Sequence, residues 1–279
     1  LKQNTIGRQE YFSNYLWEQI QMLPSKHREH LVISSGMTSS NIGLCELEYA
    51  DLPFHSVGDS LVWKYITQSG HNSILLISGV KSESGMMRGE EVQAIGLGEY
   101  ISPFGKGILI LPGTHSKHIG YNKDVFHSLK TYMTGEFFDV LITHSILSSS
   151  VKSGPWNSEA ELVFEAGVRV ALKEGLTSNL FSVRARDLIM NHSKEDNYFY
   201  LSGLLIGEEL SYLKNSEEMI FLAAPDPVFN LYQKALKSIV PKELLVFFDG
   251  RILEDALLKG QRKLLELHEK QIDVLESFR

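Results

Sequence analysis

Residues Gly113–Lys117 (GTHSK) combine the groups that a phosphate-binding turn needs. They follow the apolar run 107–111 and precede a second apolar run, and this pattern predicts a β-hairpin. Backbone N–H groups, the hydroxyls of Thr114 and Ser116 and the Lys117 ammonium would then meet at one point, which suits a triphosphate. The spacing is not that of a Walker A loop. The alternative is a plain hairpin turn with an exposed lysine.

A second segment, Arg88-Gly89-Glu90-Glu91, begins a helix that is predicted to continue through Leu97. A carboxylate that follows glycine at a helix N-terminus is exposed in a cleft and kept ionised by the helix dipole. Such a group can take or orient the proton of an acceptor hydroxyl, and Arg88 could bind a carboxylate through two hydrogen bonds. The alternative is an acidic helix cap beside a surface arginine.

Two loops of small polar residues could line a pocket for a polar ligand. Residues 36–43 (GMTSSNIG) follow an apolar strand predicted at 31–34, and open α/β sheets often bind ligands at the end of a strand. The serine and asparagine side chains could instead bond the local backbone. Residues 133–136 (MTGE) place Glu136 beside a glycine, and a helix start capped by Thr134 is the alternative there.

The order of the predicted elements indicates an α/β architecture. Upstream of the hairpin we predict a helix over 9–23, strands over 31–34 and 74–78, and a helix from residue 88. Downstream we predict a helix over 158–174, with Ser158 and Glu161 as a capping box, a helix over 201–213 with small residues on one face, and a helix over 252–278. We also predict strands over 219–223 and 244–248. We place the domain boundary near residue 103, which gives domains 1–103 and 104–279.

The composition argues against several classes of protein. A formal net charge of −7 leaves no basic footprint for nucleic acid. The single cysteine, Cys45, rules out an internal disulfide and suits a reducing compartment. The sequence shows neither a signal-peptide pattern nor an apolar run approaching the roughly 20 residues that span a bilayer, so we expect a cytoplasmic protein. The ten histidines lack metal-ligand spacing, so we expect no zinc held by protein ligands alone.

Five segments in order resemble the successive motifs of the 2-dehydro-3-deoxygalactonokinases, a family within the sugar kinase/Hsp70/actin superfamily. The resemblance extends from Leu1 to about Ala235. The five segments are SGMTSSNIG (35–43), MMRGEEVQAIG (86–96), ILPGTHSKHIG (110–120), MTGE (133–136) and LSGLLIGEEL (201–210).

The resemblance implies two actin-like (ribonuclease H-like) domains around a central cleft and an ATP- and Mg²⁺-dependent kinase that converts 2-dehydro-3-deoxy-D-galactonate to its 6-phosphate in galactonate catabolism. It implies that Glu90 is the general base, with Glu91 as the alternative candidate for that role. It also implies that Arg88 balances the negative charge of the substrate or the phosphates. It implies sugar-acid contacts from Gly36, Met37, Ser39, Ser40, Asn41, Thr134 and Glu136. It implies ATP contacts from Gly113, Thr114, His115, Ser116, Lys117, Ala224 and Pro225, and no protein-only metal site.

One motif of the resembled family is missing. Its members begin with a strand and a D-W-G-[ST]-[TN] loop that contributes to Mg²⁺ and phosphate binding, whereas this sequence opens on Leu1 without that loop. We therefore expect an N-terminal domain without its first strands. A sugar-acid-binding protein without catalysis, or a kinase of another sugar or keto-deoxy acid, remains open. We expect the protein to bind ATP and a sugar acid, and we expect it to bind neither nucleic acid nor a membrane. Whether it forms a homodimer stays open.

Overall fold

The chain folds into helices and strands that alternate along its length, as the sequence pattern predicts. The computed structural model describes residues 7–28, 30–67 and 72–277, including their side chains except at residues 8 and 270–277. The described residues divide into two units. The first unit contains those within Leu1–Gly105, Gly120–Leu129 and Glu254–Arg279, and the second contains Lys106–Ile119 and Lys130–Leu253.

The strands and helices of the described residues have the following bounds. The strands are β1 Val32–Ser34, β2 Ala50–Asp51, β3 Phe54–His55, β4 Trp63–Ile66, β5 Ile74–Ile77, β6 Val80–Lys81, β7 Met86–Met87, β8 Lys106–Leu111, β9 Ser116–Asn122, β10 Val125–Tyr132, β11 Met219–Ala223 and β12 Leu245–Phe248. The helices are α1 Arg8–Gln21, α2 Glu90–Ile101, α3 Thr134–His144, α4 Ser158–Glu174, α5 Ser182–Leu188, α6 Lys194–Leu210, α7 Val228–Ile239 and α8 Gly250–Ser277.

The first unit contains two small sheets and one antiparallel strand pair. One sheet has the order β1-β5-β4, with β1 parallel and β4 antiparallel to the fully buried β5. The other has the order β2-β6-β7. Strand β10 pairs antiparallel with β3 through Val125 and Phe126. Helix α8 packs against α2 at Gly96 and Gly260, where the missing side chains let the two backbones approach closely. Helix α8 therefore supports α2.

The second unit contains parallel strands covered by helices. Strand β11 lies between β8 and β12 and is parallel to both. Its residues are apolar and mostly buried, because parallel strands are normally covered on both faces. The core between this sheet and the helices includes Phe164 from α4, Leu210 from α6 and Leu236 from α7.

Most predicted elements are present, with local differences at their ends. The predicted capping box at Ser158 is wrong: Asn157 caps α4, and its side-chain oxygen accepts hydrogen bonds from the N–H groups of Glu159 and Ala160. Asparagine and serine are both good caps, so the extended backbone at Asn157 decides between them. Helix α6 begins at Lys194, earlier than predicted, because Ser193 caps it.

The division into units differs in part from the predicted domains. The chain first passes from one unit to the other between Gly105 and Lys106, close to the boundary predicted near residue 103. Two later segments, Gly120–Leu129 and Glu254–Arg279, fall in the first unit, whereas the prediction assigned all of 104–279 to one domain. Contacts between residues far apart in sequence place these two segments in the first unit.

Helices α4 and α6 pack with their backbones in close approach, and glycines make this possible. A Cβ atom on Gly203 would overlap the carbonyl oxygen of Phe164, and one on Gly207 would lie 2.9 Å from the Cα of Val168. The predicted face of small residues on α6 is therefore the face that contacts α4. This contact fixes the position of the last turn of α6.

We expect Gly203→Ala to lower the free energy of unfolding by about 1–3 kcal/mol, the usual cost of overpacking. The overlap is with a backbone atom that no side-chain rotation can relieve, and it outweighs a helix-propensity gain of about 1 kcal/mol. Urea-induced unfolding measures the change. Glu208→Ala, on the exposed side of the same helix, should stay within about 0.5 kcal/mol of the wild type. Equal stability of the two variants would contradict the close packing.

Candidate active site

The hairpin turn between β8 and β9 contacts the N-terminus of α3. The Glu136 N–H donates to the Thr114 carbonyl oxygen over 3.0 Å. A Cβ atom on Gly135 would lie 2.6 Å from the Gly113 carbonyl oxygen, so only glycine permits this approach. The first N–H groups of a helix have no partner within the helix and carry partial positive charge. The turn therefore lies beside the N-terminus of α3, whose partial positive charge attracts anions.

The side chains of the turn are held by the surrounding protein. Ser116 is buried and donates to Glu209 over 2.8 Å. Lys117 is only 3% exposed, and its ammonium donates to the His115 carbonyl oxygen over 2.8 Å. Lys117 is therefore not the exposed lysine of the plain-turn alternative, and its ammonium bonds the turn's own backbone. Phosphate binding by the turn stays a prediction. The exposed His115 ring lies 2.5 Å from a Glu136 carboxylate oxygen, which links the turn to α3 a second time.

A cavity of about 170 Å³ adjoins the turn. It is lined by Gly113, by residues of α3 and by mostly apolar or aromatic side chains of α6, of α7 and of Pro227 just before α7. Those side chains include Tyr198, Leu205 and Leu231. The sequence analysis did not identify them, because their helical apolar spacing is the same as that of ordinary core residues.

Neither of the two predicted adenine residues, Ala224 and Pro225, lines this cavity. Ala224 is fully buried, and its N–H donates to the Phe248 carbonyl oxygen over 3.3 Å. Pro225 is exposed at the end of β11. Pro227 and Val228, two to four residues further along the chain, do line the cavity.

If the turn binds the phosphates of ATP, as the resemblance implies, Gly135→Ala should raise the KM for ATP about tenfold with little change in the KM for the acceptor. The added methyl group must push the turn away from the N-terminus of α3, which disturbs the phosphate-binding surface that the resemblance implies at the turn. A loss of about one hydrogen bond to a charged group corresponds to this factor. Steady-state kinetics measure it, with Asp139→Ala on the exposed side of α3 as the control. An unchanged KM for ATP would remove the turn from the phosphate site.

In the first unit, the loop after β1 contacts the segment before α2. Gly36 and Gly89 face each other, and a Cβ atom on Gly89 would lie 3.5 Å from the Gly36 Cα. Their φ angles are +70° and +117°, in the region that glycine adopts without strain. The folded chain therefore brings together two predicted segments that are about 50 residues apart in sequence.

Arg88 binds the loop that follows β1. Its guanidinium donates to the Ser39 carbonyl oxygen and, over 2.8 Å, to the Ser39 hydroxyl. It also donates to the Tyr49 hydroxyl over 3.2 Å and lies 4.0 Å from the centre of the Tyr49 ring. Arg88 therefore contacts the loop and is not a free surface arginine. Its role as a balancing charge stays a prediction.

Glu90 and Glu91 have different surroundings although they are neighbours. Glu90 is half-buried, and its carboxylate accepts from the Arg88 N–H over 2.9 Å. Glu91 is fully buried, and its two oxygens accept from the Gly89 N–H over 2.8 and 2.7 Å. Burial raises the pKa of Glu91 to about 8, against the opposing effect of these hydrogen bonds. Glu90 is therefore the acid of this pair that a substrate can reach.

Within the loop after β1, side chains point both inward and outward. The hydroxyls of Thr38, Ser39 and Ser40 donate to the carbonyl oxygens of Ser35, Gly36 and Met37, which is the local bonding that the sequence left as an alternative. Met37 and Asn41 are exposed. Of the predicted sugar-acid residues in this loop, these two present their side chains to solvent.

The predicted site residues therefore form two groups. The first unit holds Gly36–Asn41 together with Arg88–Glu91. The second unit holds Gly113–Lys117 together with Thr134–Glu136. The alternative in which Thr134 caps a helix is wrong, since Met133 occupies the cap position and α3 begins at Thr134.

Comparison with known proteins decides the family. A sequence model of the 2-keto-3-deoxy-galactonokinase family matches residues 3–249. The chain belongs to this family. The matched range includes both groups of candidate site residues.

Individual relatives agree with the family match. The chain is 30% identical over 218 residues to the 2-dehydro-3-deoxygalactonokinase of Escherichia coli (strain K12), covering 75% of this chain and 70% of the relative. It is 34% identical over 158 residues to DgoK1 of Rhizobium meliloti (strain 1021), a candidate enzyme of the same name, covering 55% and 51%. A crystal structure of a candidate 2-dehydro-3-deoxygalactonokinase from Sinorhizobium meliloti superposes with a TM-score of 0.80 at 25% identity, covering 92% of this chain and 85% of that one.

Within residues 7–28, 30–67 and 72–277, no group of three or more histidine, cysteine, aspartate and glutamate side chains is arranged to hold a metal ion. None of the helices in the part of the chain that the structure describes is both long and apolar enough to cross a membrane.

Proposed function

We propose that the chain is an ATP-dependent kinase that transfers the γ-phosphoryl group to the 6-hydroxyl of 2-dehydro-3-deoxy-D-galactonate. The observation that carries this proposal is the contact between the Gly113–Lys117 turn and the N-terminus of α3, in a chain of the galactonokinase family. Phosphoryl transfer depends mainly on positioning and on electrostatic stabilisation of the phosphates. The partial positive charge of the α3 N-terminus, beside a turn that carries hydroxyl groups, supports such a role. The two units would correspond to the two actin-like domains of the superfamily.

ATP would bind to the second unit. We place its phosphates at the turn and the α3 N-terminus, and its nucleoside in the adjoining cavity, whose apolar and aromatic walls suit a flat base. Ala224 and Pro225 remain our proposal for the adenine end, just before the Pro227–Val228 wall of the cavity. Thr134 and Glu136 lie beside the turn, and this supports a role at the phosphates more than at the sugar acid.

The acceptor would bind to the first unit, beside Glu90 and the loop Gly36–Asn41. The 6-hydroxyl oxygen attacks the γ-phosphorus, the bond to the ADP oxygen breaks, and the hydroxyl proton passes to the Glu90 carboxylate. Arg88 would act by holding Ser39 and the rest of the loop in place. Met37 and Asn41 have exposed side chains, and we propose that these two contact the sugar acid.

Mg²⁺ would arrive with ATP. In kinases this ion keeps several waters and binds one or two carboxylates together with the substrate phosphates, so a dedicated cluster of protein ligands is not required. Glu136 fits this donor set, since its carboxylate lies at the turn. When bound, the ion neutralises phosphate charge. A cytoplasmic location and a homodimer remain predictions.

A coupled assay of ADP release tests the proposed function. We expect turnover with 2-dehydro-3-deoxy-D-galactonate, and at least about tenfold lower kcat/KM with its C4 epimer and with simple sugars, because specificity is a ratio of kcat/KM values. Turnover on another acid alone would reassign the acceptor. Calorimetric binding of the sugar acid without binding of Mg·ATP would show a binding protein in place of a kinase.

A further inference from the structure

Glu209 lies on the last turn of α6 and receives hydrogen bonds from several elements. The side chain is buried. One carboxylate oxygen accepts from the Ser116 hydroxyl over 2.8 Å and lies 2.8 Å from Nε2 of His118. The other accepts from the Tyr232 hydroxyl over 2.7 Å. The Thr134 side chain is hydrogen-bonded to the same carboxylate.

These donors come from the elements that form the proposed ATP site. Ser116 and His118 are on β9, where the chain leaves the turn, and Thr134 is the first residue of α3. Tyr232 is on α7 and lines the cavity next to the turn. One carboxylate therefore joins both sides of the phosphate surface to the wall of the cavity.

The network continues behind His118. Its Nδ1 lies 2.7 Å from the Tyr212 hydroxyl, and its ring packs 4.6 Å from the ring of Tyr132. Tyr132 and Tyr212 are themselves nearly parallel, with 6.3 Å between ring centres. The imidazole is thus held on both sides, so the donor that it presents to Glu209 has a fixed direction.

Ionisation of Glu209 is favoured although it is buried. Burial by itself would raise its pKa, but hydrogen bonds from His118, Thr134 and Tyr232 and the electrostatic effect of His118 outweigh burial and lower the pKa. A buried carboxylate holds its partners firmly, because each lost donor leaves charge without compensation.

We infer that Glu209 is a positioning residue for ATP. It holds Ser116 and Thr134 at fixed places, so the turn and the α3 N-terminus present their N–H groups to the phosphates in one arrangement. Glu209 touches no substrate in this role. The inference rests on the proposed function, since it assigns the phosphates to the turn.

Glu209→Gln and Glu208→Gln make a matched pair for the test. Both remove one negative charge from adjacent positions on α6, but Glu208 is exposed while Glu209 is buried. An amide cannot accept from all four donors of Glu209, so we expect Glu209→Gln to weaken ATP binding about tenfold. Calorimetry with Mg·ATP and no acceptor measures this. The KM for the sugar acid should stay within about twofold, and Glu208→Gln should match the wild type throughout.

Ser116→Ala and Thr134→Val provide the same test if Glu209→Gln does not fold. Each removes one donor and should weaken ATP binding several-fold. The double variant Ser116→Ala/Glu209→Gln should show less than the sum of the single effects, since both act through one contact. Unchanged ATP affinity in folded Glu209→Gln, or in both single-donor variants, would overturn the inference alone. A wild-type chain that binds no Mg·ATP would overturn the proposed function itself.

Discussion

Replacing Glu90 by glutamine is expected to lower kcat by at least about 10²-fold while the fold is retained, in line with the usual loss of a general base. Glu90 is half-buried, so a hydroxyl can reach it, and glutamine can still accept the hydrogen bond from the Arg88 N–H. What the variant loses is the capacity to take the acceptor proton. The coupled ADP assay measures kcat, and circular dichroism confirms the fold.

The neighbouring acid supplies the control for this experiment. Glu91→Gln makes the same chemical change one residue away, but Glu91 is fully buried and its oxygens face the Gly89 N–H. We therefore expect folded Glu91→Gln to keep kcat within about tenfold of the wild type. Near-normal turnover in Glu90→Gln together with loss of turnover in folded Glu91→Gln would transfer the base role to Glu91.

The second large effect is on stability, and it concerns Glu91. Its pKa is raised from 4.5 to about 8 in the folded chain, chiefly because burial disfavours the charged form. Between these two values the native state keeps a proton that the unfolded chain releases. The free energy of unfolding should therefore fall as the pH rises, by up to about 1.4 kcal/mol per pH unit. This contribution is fully present below pH 4.5 and is lost as the pH passes about 8.

Urea-induced unfolding at a series of pH values from 4.5 to 8.5 tests this expectation. Glutamine resembles the protonated acid and does not titrate, so Glu91→Gln should lack this contribution to the slope whatever its absolute stability. Glu90→Gln should keep the slope of the wild type. If the wild type and Glu91→Gln lose stability in parallel, Glu91 is ionised in the folded chain and the proposed burial effect is wrong.

Local rules were enough to predict several parts of the site. The hairpin at Gly113–Lys117 follows from a short turn between apolar strands, and the start of α2 at Glu90 follows from a glycine before an apolar helical pattern. The face of small residues on α6 could also be predicted from the sequence, because helical spacing alone places Gly203 and Gly207 on one side. Each of these signals involves residues within a few turns of one element.

Only the tertiary structure decided how these parts are used. Which of two adjacent glutamates is buried depends on what packs against α2, and α8 reaches α2 from the far end of the chain. The role of Glu209 depends on a serine 93 residues away in sequence, and nothing in LSGLLIGEEL indicates that partner. Burial and hydrogen bonding are properties of the folded neighbourhood, so three glutamates become an accessible acid at Glu90, a buried acid at Glu91 and a hydrogen-bonded carboxylate at Glu209. The sequence by itself determined which groups are available for the chemistry, and the fold decided which of them face a substrate.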